Sequence, residues 1–196
     1  MKQDYLNIRQ EFESINKLIF IQEYEIANNL LIKLLHNPEA QHNYLINLKT
    51  IELNAKLNML EQLQTFYKDK FKHSKLEYMQ KLCFIFIEYF KGNNNIQTML
   101  DKFQNHITIY GESGAAYFGI GECWISIGNT KNAIDNYEKS VAIDPQFSTS
   151  YFRLYECYSI INNEEIASKY LEIATNIAPY DSYGNMQTHA NLGSNL

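Results

Sequence analysis

Two segments of the chain, one ending at Pro145 and the other at Pro179, align with each other without a gap. The first reads AAYFGIGECWISIGNTKNAIDNYEKSVAIDP and the second TSYFRLYECYSIINNEEIASKYLEIATNIAP, at an offset of 34 residues. Both carry YF and EC at the same positions, and an alanine recurs in the second half of each. A fixed period of this length is typical of a solenoid built from repeated supersecondary units. The repetition therefore favours a stack of similar units over a single mixed fold.

Each repeat contains two stretches of helical apolar spacing. The first stretch stops at Gly128-Asn129, and the second stops before Pro145, because proline cannot continue a helix. Two helices joined by a short turn form an antiparallel hairpin, which buries its apolar stripes only against neighbouring hairpins. The stripe residues are Tyr117, Ile120, Gly121 and Trp124 in the first stretch, and Ala133, Tyr137 and Ser140 in the second.

The pattern aromatic-x2-aliphatic-Gly-x2-aromatic, then Ala-x3-aromatic, then Pro, at a period of 34, resembles the tetratricopeptide repeat (TPR). The unit 114–147 matches the family pattern at every signature position. The unit 148–181 departs from it at Tyr155, where the family has a small residue, and we expect this tyrosine to widen or tilt the hairpin or to turn its ring outward. The resemblance implies an all-α solenoid whose hairpins expose their first helices on a concave face.

The chain before residue 110 shows helical periodicity without this clear signature. Its stripes include Ala27, Leu31 and Leu34, which end at Asn37-Pro38. We therefore predict degenerate helical-hairpin repeats over 1–110, two TPR-like repeats (114–147 and 148–181) within 111–181, and a polar tail or capping segment over 182–196. About ten helices in five antiparallel hairpins would result, at the usual repeat length.

The glycines of GAAYFGIGECWISIG (114–128) raise the alternative of a phosphate-binding loop. A dinucleotide loop needs a third glycine where this sequence has Trp124, and it follows a strand, which is not indicated here. We therefore interpret Gly121 as a residue that lets the two helices of the hairpin approach. Gly119 is expected where a neighbouring element comes close.

Charge is distributed unevenly along the chain. Residues 111–196 carry 4 Lys or Arg against 10 Asp or Glu, whereas residues 1–110 carry 13 against 12. Such an acidic part repels nucleic-acid phosphates, so no nucleic-acid partner is expected there. The one basic run, KDKFKHSK (68–75), is interpreted as a solvated helix C-terminus whose cations complement the dipole, with a phosphate or RNA contact as its alternative.

The sequence gives no pattern for catalysis, a metal or a cofactor. Cys83, Cys123 and Cys157 show no CxxC spacing, and we expect them to be buried thiols without a Cys123–Cys157 bond. The five histidines show no HxxxH or HExxH pairing. Charges within the first residues and the lack of a long apolar run predict no signal peptide and no membrane span, hence a cytoplasmic location.

The TPR resemblance also implies candidate ligand contacts on the concave face. These are Phe118, Glu122, Ile125, Phe152, Glu156 and Ser159. TPR domains that grip acidic chaperone tails carry Lys and Asn where this chain repeats Phe and Glu, so such a clamp is not expected. A groove of this kind would instead take a protein or peptide of apolar and basic character. The alternative is that both phenylalanines pack between hairpins and both glutamates are merely solvated.

These features together predict a non-enzymatic, protein-binding TPR-like adaptor, scaffold or chaperone that holds a partner polypeptide in its concave groove. The alternatives are a helical-repeat RNA-binding protein, a regulatory subunit of an enzyme complex, and a bacterial secretion chaperone. The sequence does not indicate the identity of the partner or the oligomeric state.

Overall fold

The structure is a computed structural model that describes residues 2–72, 75–92 and 94–178, with side chains from Leu6 onward. These residues form helices joined by short connections, without a strand in the described ranges. The predicted tail 182–196 lies outside them. The helices are α1 (Lys2–Phe20), α2 (Tyr24–Leu34), α3 (Pro38–Gln41), α4 (Tyr44–Lys56), α5 (Leu60–Phe71), α6 (Glu77–Lys91), α7 (Ile96–Tyr110), α8 (Gly114–Ser126), α9 (Thr130–Ile143), α10 (Ser148–Ile160) and α11 (Glu164–Ile177).

The helices pair into five antiparallel hairpins, α1–α2, α4–α5, α6–α7, α8–α9 and α10–α11, and each hairpin packs on the next. The all-α solenoid predicted from the period is confirmed. The described chain has one helix more than the ten expected, because Asn37-Pro38 starts the short α3. The Asn37 side chain accepts a hydrogen bond from the Glu39 N–H at 2.9 Å, and proline at the first helical position needs no donor partner.

One residue with left-handed backbone lies in each hairpin turn. These residues are Gln22, Asn58, Gly92, Gly128 and Asn162, with φ between 57° and 76°. They follow one another at intervals of 34 or 36 residues, so the repeat register continues through the N-terminal part. Left-handed backbone closes a helix end tightly and is adopted most easily by glycine and asparagine. The degenerate hairpins thus keep the turn geometry after losing the apolar signature.

Gly119 and Gly121 lie inside α8 and not in a loop. A Cβ atom at Gly119 would overlap the ring of Phe103 on α7, and one at Gly121 would overlap the ring of Tyr137 on α9. Both glycines therefore make room for aromatic rings from the two flanking helices. The interpretation as packing glycines holds, and the phosphate-loop alternative is wrong. At the position of the second repeat that corresponds to Gly121, Tyr155 is half-buried.

Helix α4 is buried on nearly all sides. Its polar side chains Asn47, Lys49, Thr50 and Asn54 are at most 3% exposed. Hydrogen bonds satisfy the amides: Tyr67 donates to Asn47 Oδ1 at 2.9 Å, and Asn54 donates to Asn28 Oδ1 at 2.6 Å. Helices α2, α5 and α6 cover much of α4. At its first residue, the Tyr44 side chain lies close to Ser113 and Asp144, at the starts of α8 and of the α9–α10 connection.

The basic run at 68–75 covers the end of α5. Lys68 and Lys70 lie in the last turn of this helix, where a cation interacts favourably with the helix dipole. This placement agrees with the interpretation as a helix C-terminus. Two residues of the run, at positions 73 and 74, lie outside the described residues.

Candidate functional site

The structure separates the six predicted contact residues into two groups. Phe118, Phe152 and Glu122 are at most 6% exposed, whereas Ile125, Glu156 and Ser159 are half-buried and reach the surface. The expectation that the two phenylalanine rings face a ligand is therefore corrected.

Phe118 is a core residue that joins successive hairpins. Its ring centroid lies 6.4 Å from that of Phe86 on α6, 5.8 Å from that of Tyr137 on α9, and 5.5 Å from that of Phe147 in the next connection. Aromatic rings at these separations pack favourably against one another. The alternative of packing between hairpins thus describes Phe118, and the 1% exposure of Phe152 places it in the core as well.

Glu122 anchors a buried polar network between α8, α9 and α10. Its carboxylate accepts a hydrogen bond from the Tyr137 hydroxyl at 2.6 Å and pairs with Arg153 at 2.7 Å (Nε) and 2.8 Å (Nη2). Arg153 also pairs with Glu156 through Nη1 at 2.8 Å. One guanidinium thus holds the two glutamates that the sequence offered as ligand contacts.

Burial and charge have opposite effects on Glu122. Removal from water raises the pKa of this carboxyl above its ordinary value, and the positive charge of Arg153 and the Tyr137 hydrogen bond oppose that rise. Burial raises the pKa of the Tyr137 hydroxyl, and the charge of the Glu122 carboxylate adds to that rise. Such a network is suited to holding helices in register, since a buried charge is tolerated only with its partners in place.

A second acidic side chain, on α4, affects Glu122. The charge of Glu52 adds to the rise in the pKa of Glu122, and Glu52 itself pairs with the buried Lys49 at 3.1 Å. The Glu122 carboxylate is held by Tyr137 and Arg153 and is therefore not a free contact for a ligand.

A shallow surface pocket lies at the C-terminal ends of α8 and α10, next to this network. Its lining residues are Ile125, Arg153, Glu156, Cys157, Ser159 and Ile160. The Ile160 side chain is 60% exposed, and the buried Ser159 Oγ has no hydrogen-bond partner among the described residues. Three of the six predicted residues thus meet in one place. Repeat comparison missed Arg153, because the matching position of the first repeat is Gly119.

The three cysteines are buried free thiols. Burial raises the pKa of Cys83, Cys123 and Cys157 to about 12 in each case. Only the thiolate is nucleophilic, so a low thiolate fraction makes these side chains poor nucleophiles.

We expect iodoacetamide at pH 7.5 to alkylate the folded chain about 1,000-fold more slowly than the urea-unfolded chain, because burial moves the pKa of the thiols from 9.0 to about 12. Mass spectrometry of timed samples measures this rate. All three thiols should be modified after unfolding without a reductant. A cysteine that reacts in the folded chain as fast as in the unfolded chain would contradict the expectation and favour an enzyme.

Comparison with known proteins gives structural likeness alone. No protein-family model matches the chain, and neither does a curated protein sequence. Among solved structures, TTC0263, a thermophilic TPR protein of Thermus thermophilus, superposes with a TM-score of 0.57 at 13% identity, covering 94% of this chain and 98% of that one. The APC/C hetero-tetramer Cut9–Hcn1 matches with a TM-score of 0.52 at 11% identity, covering 85% of this chain and 32% of that one.

A third solved structure, YrrB, described as a TPR protein with an unusual peptide-binding site, is similar at 15% identity and a TM-score of 0.49, covering 92% of this chain and 90% of that one. Among the described helices, none is long and apolar enough to cross a membrane. The hairpin order, the turn register and the likeness to TTC0263 agree with one another. The chain therefore has the fold of the tetratricopeptide repeat proteins, which confirms the resemblance indicated by its 34-residue period.

Proposed function

We propose that this chain is a non-enzymatic protein-interaction scaffold that binds a partner polypeptide at the surface pocket formed by Ile125, Arg153, Glu156, Cys157, Ser159 and Ile160. The observation that carries the proposal is the combination of an exposed apolar side chain, Ile160, with an unsatisfied buried hydroxyl, Ser159, at one pocket. A large apolar side chain left in water and a polar atom without a partner both gain free energy when a ligand covers them.

The chemistry of the pocket favours a peptide with an apolar residue beside a basic one. Ile125 and Ile160 would contact the apolar side chain, and Ser159 Oγ would bond to the peptide backbone. Glu156 is only partly neutralised by Arg153, which it shares with Glu122. The excess of Asp and Glu in residues 111–196 would further attract Lys or Arg, mainly by raising the association rate.

The same charge supports a protein partner over RNA. Residues 111–196 carry 10 acidic against 4 basic side chains, and an acidic surface repels a phosphate backbone. A role as adaptor, as chaperone or as regulatory subunit of an enzyme complex is compatible with this peptide site. A cytoplasmic location stays a prediction from the sequence.

Selection from a library of random displayed peptides on the immobilised full chain tests the proposal. We expect the enriched peptides to share an apolar residue flanked by Lys or Arg. Ile160→Asp should weaken the binding of a selected peptide at least tenfold, because a charge replaces an apolar contact at the centre of the site. Fluorescence anisotropy with a labelled peptide measures this loss.

Ile109→Asp is the matched control. Ile109 is 70% exposed on α7, outside the pocket, so the same substitution there should leave peptide binding unchanged. Circular dichroism should give wild-type helical content for both variants. Equal binding by wild type and Ile160→Asp would place the peptide elsewhere and refute the proposed surface.

A further inference from the structure

A second cavity, of about 270 Å³, lies where the two ends of the solenoid approach each other. Helix α1 forms one wall, and the start of α4 forms the next. The α9–α10 connection and the last turn of α11 close the cavity from the C-terminal side. It is separate from the surface pocket at Ile160 and shares none of its residues.

The inner part of this end cavity is apolar. Ile8, Phe12 and Ile46 line it and are at most 9% exposed. Ile177 adds apolar surface from α11. Pockets for small molecules combine such a lining with a few polar groups that fix the orientation of the ligand. A cavity of about 270 Å³ is at the small end of such pockets and suits a short alkyl chain.

One polar side chain of the wall opens into the cavity. Asn16 is 5% exposed and lines the cavity, and its carboxamide makes no hydrogen bond to another residue that the structure describes. Its polar atoms are not among the fully buried atoms without a partner in the described part of the chain, so they are accessible from the cavity. The Asn16 carboxamide is therefore available to a ligand that enters it.

The charge on the cavity wall is negative. Arg9 and Glu13 neutralise each other across 3.2 Å, and the His42 ring contacts the Tyr78 hydroxyl at 3.3 Å. Asp144 forms no ion pair within the described part of the chain. One of its oxygens, Oδ1, accepts the Gln146 N–H at 3.1 Å, which leaves the other for a ligand. The wall thus offers one carboxylate and one amide oxygen above an apolar base.

We propose that the end cavity binds a primary alkylammonium group. Its alkyl chain packs on Ile8, Phe12 and Ile46, and its ammonium pairs with Asp144 and donates to the Asn16 amide oxygen. Carboxylates and phosphates are rejected, because they would face Asp144 without a free cation in the described wall to receive them. Two sources carry this chemistry, a lysine side chain of another polypeptide and a small free amine. In both cases the ligand contacts α1 and the α9–α10 connection together, which ties the first hairpin to the last.

Titration of the isotope-labelled full chain, followed by two-dimensional NMR, tests the proposal with probes of equal length. We expect hexylamine to bind with a Kd of about 1 mM, a value usual for so small a ligand. It should shift the side-chain amide signal of Asn16 and the backbone signal of Gln146. 1-Hexanol should bind about tenfold more weakly and hexanoate not at all, since the alcohol lacks the charge and the acid reverses it. Equal binding of the amine and the alcohol would show that the cavity binds the alkyl chain alone, and it would overturn the proposal.

The variant Asp144→Asn removes the negative charge at this position and keeps the local structure. Asparagine keeps the side-chain oxygen that accepts from Gln146, so the connection should fold as before. The preference for hexylamine over 1-hexanol should disappear in this variant, and it should persist in the control Asp101→Asn, which removes an exposed carboxylate from α7. A preference that survives Asp144→Asn would contradict the assignment.

Nα-acetyl-lysine amide, which presents a lysine side chain without a free N-terminus, distinguishes the two sources. Binding at the same residues assigns the site to a lysine of another polypeptide, whereas binding of hexylamine alone assigns it to a free amine. The proposal does not depend on the peptide surface at Ile160. Ile160→Asp should leave hexylamine binding intact. The two proposals can therefore fail independently of each other.

Discussion

Replacing Tyr137 with alanine is expected to lower the free energy of unfolding by about 4 kcal/mol. Its ring is fully buried, fits over Gly121, and packs against Phe118. Truncation of such an aromatic side chain leaves a cavity that the surrounding helices fill only in part. The same change removes the hydroxyl that donates to Glu122 at 2.6 Å, so a buried carboxylate also loses a partner.

Urea denaturation followed by circular dichroism measures this loss. Tyr137→Phe serves as the matched variant, because it keeps the ring and removes the hydroxyl alone, and should lower the free energy of unfolding by about 1.5 kcal/mol. Tyr110→Ala, at a side chain that is 37% exposed, should leave the urea midpoint almost unchanged. An unchanged midpoint for Tyr137→Ala would contradict the repeat register, which rests on the contact between Tyr137 and Gly121.

The two C-terminal hairpins could be predicted because their determinants are local. Gly121 and Tyr137 are complementary in size and only 16 positions apart, so one repeat contains both halves of the contact. The helix ends could also be predicted from the sequence. Gly128 is a left-handed residue that ends α8, and Asn129 is the N-cap of α9, whose side chain accepts the Asn132 N–H at 3.1 Å.

The first hairpin shares the same turn geometry but achieves it with another residue type. Left-handed backbone occurs at Gln22 there, whereas the later turns have Asn58, Gly92, Gly128 and Asn162. Glutamine is not a usual marker for this conformation, so the turn at Gln22 carries no sequence signal. A search for Asn or Gly at intervals of 34 to 36 residues would have found Asn58, Gly92, Gly128 and Asn162 and extended the register to the second hairpin.

The burial of α4 could not be predicted from periodicity. Helix α4 buries Lys49 and Asn54 together with Ile51, so polar and apolar residues share the same environment. Their burial depends on α2, α5 and α6, which pack around this helix. A single apolar stripe assigns such polar positions to solvent, so it gives no sign of a helix that is covered on several sides.

The two glutamates of the predicted site have another role than the sequence predicted, for a related reason. The pair formed by Glu122 and Glu156 repeats at 34 residues and resembles a ligand-binding pattern, but Arg153 occurs in one repeat alone. A comparison of repeats favours residues that recur, whereas the role of both glutamates depends on Arg153, which does not recur. A search for a cation within reach of a repeated acid would have identified the network.

Arg153→Met is expected to lower the free energy of unfolding by about 3 kcal/mol at pH 7, because it leaves the buried Glu122 without its countercharge. The Arg153 side chain is 22% exposed and that of Glu122 is 8% exposed, so solvent screens little of the pair. Lys169→Met provides the control in the same hairpin as Arg153. Its pair with Glu165 is largely in water, and its loss should leave the urea midpoint unchanged.

The pH dependence of this loss identifies Glu122 as its cause. Because the folded-state pKa of Glu122 lies above the ordinary value of 4.5, the folded chain binds more protons than the unfolded chain between these two pKa values. The resulting stability is fully present below the unfolded pKa and is lost as the pH rises through the folded one. Removing the charge of Arg153 raises the folded pKa further and moves this loss toward neutral pH.

The difference in unfolding free energy between wild type and Arg153→Met should therefore grow from pH 5 to pH 8. Glu122→Gln abolishes the titration while keeping the shape of the side chain. In that background Arg153→Met should cost less, and its cost should no longer depend on pH. Urea denaturation of the four proteins at each pH measures the cycle. If the cost of Arg153→Met is the same at every pH and in both backgrounds, Glu122 is not the residue that Arg153 stabilises, and α8 and α10 must be held together by their apolar contacts alone.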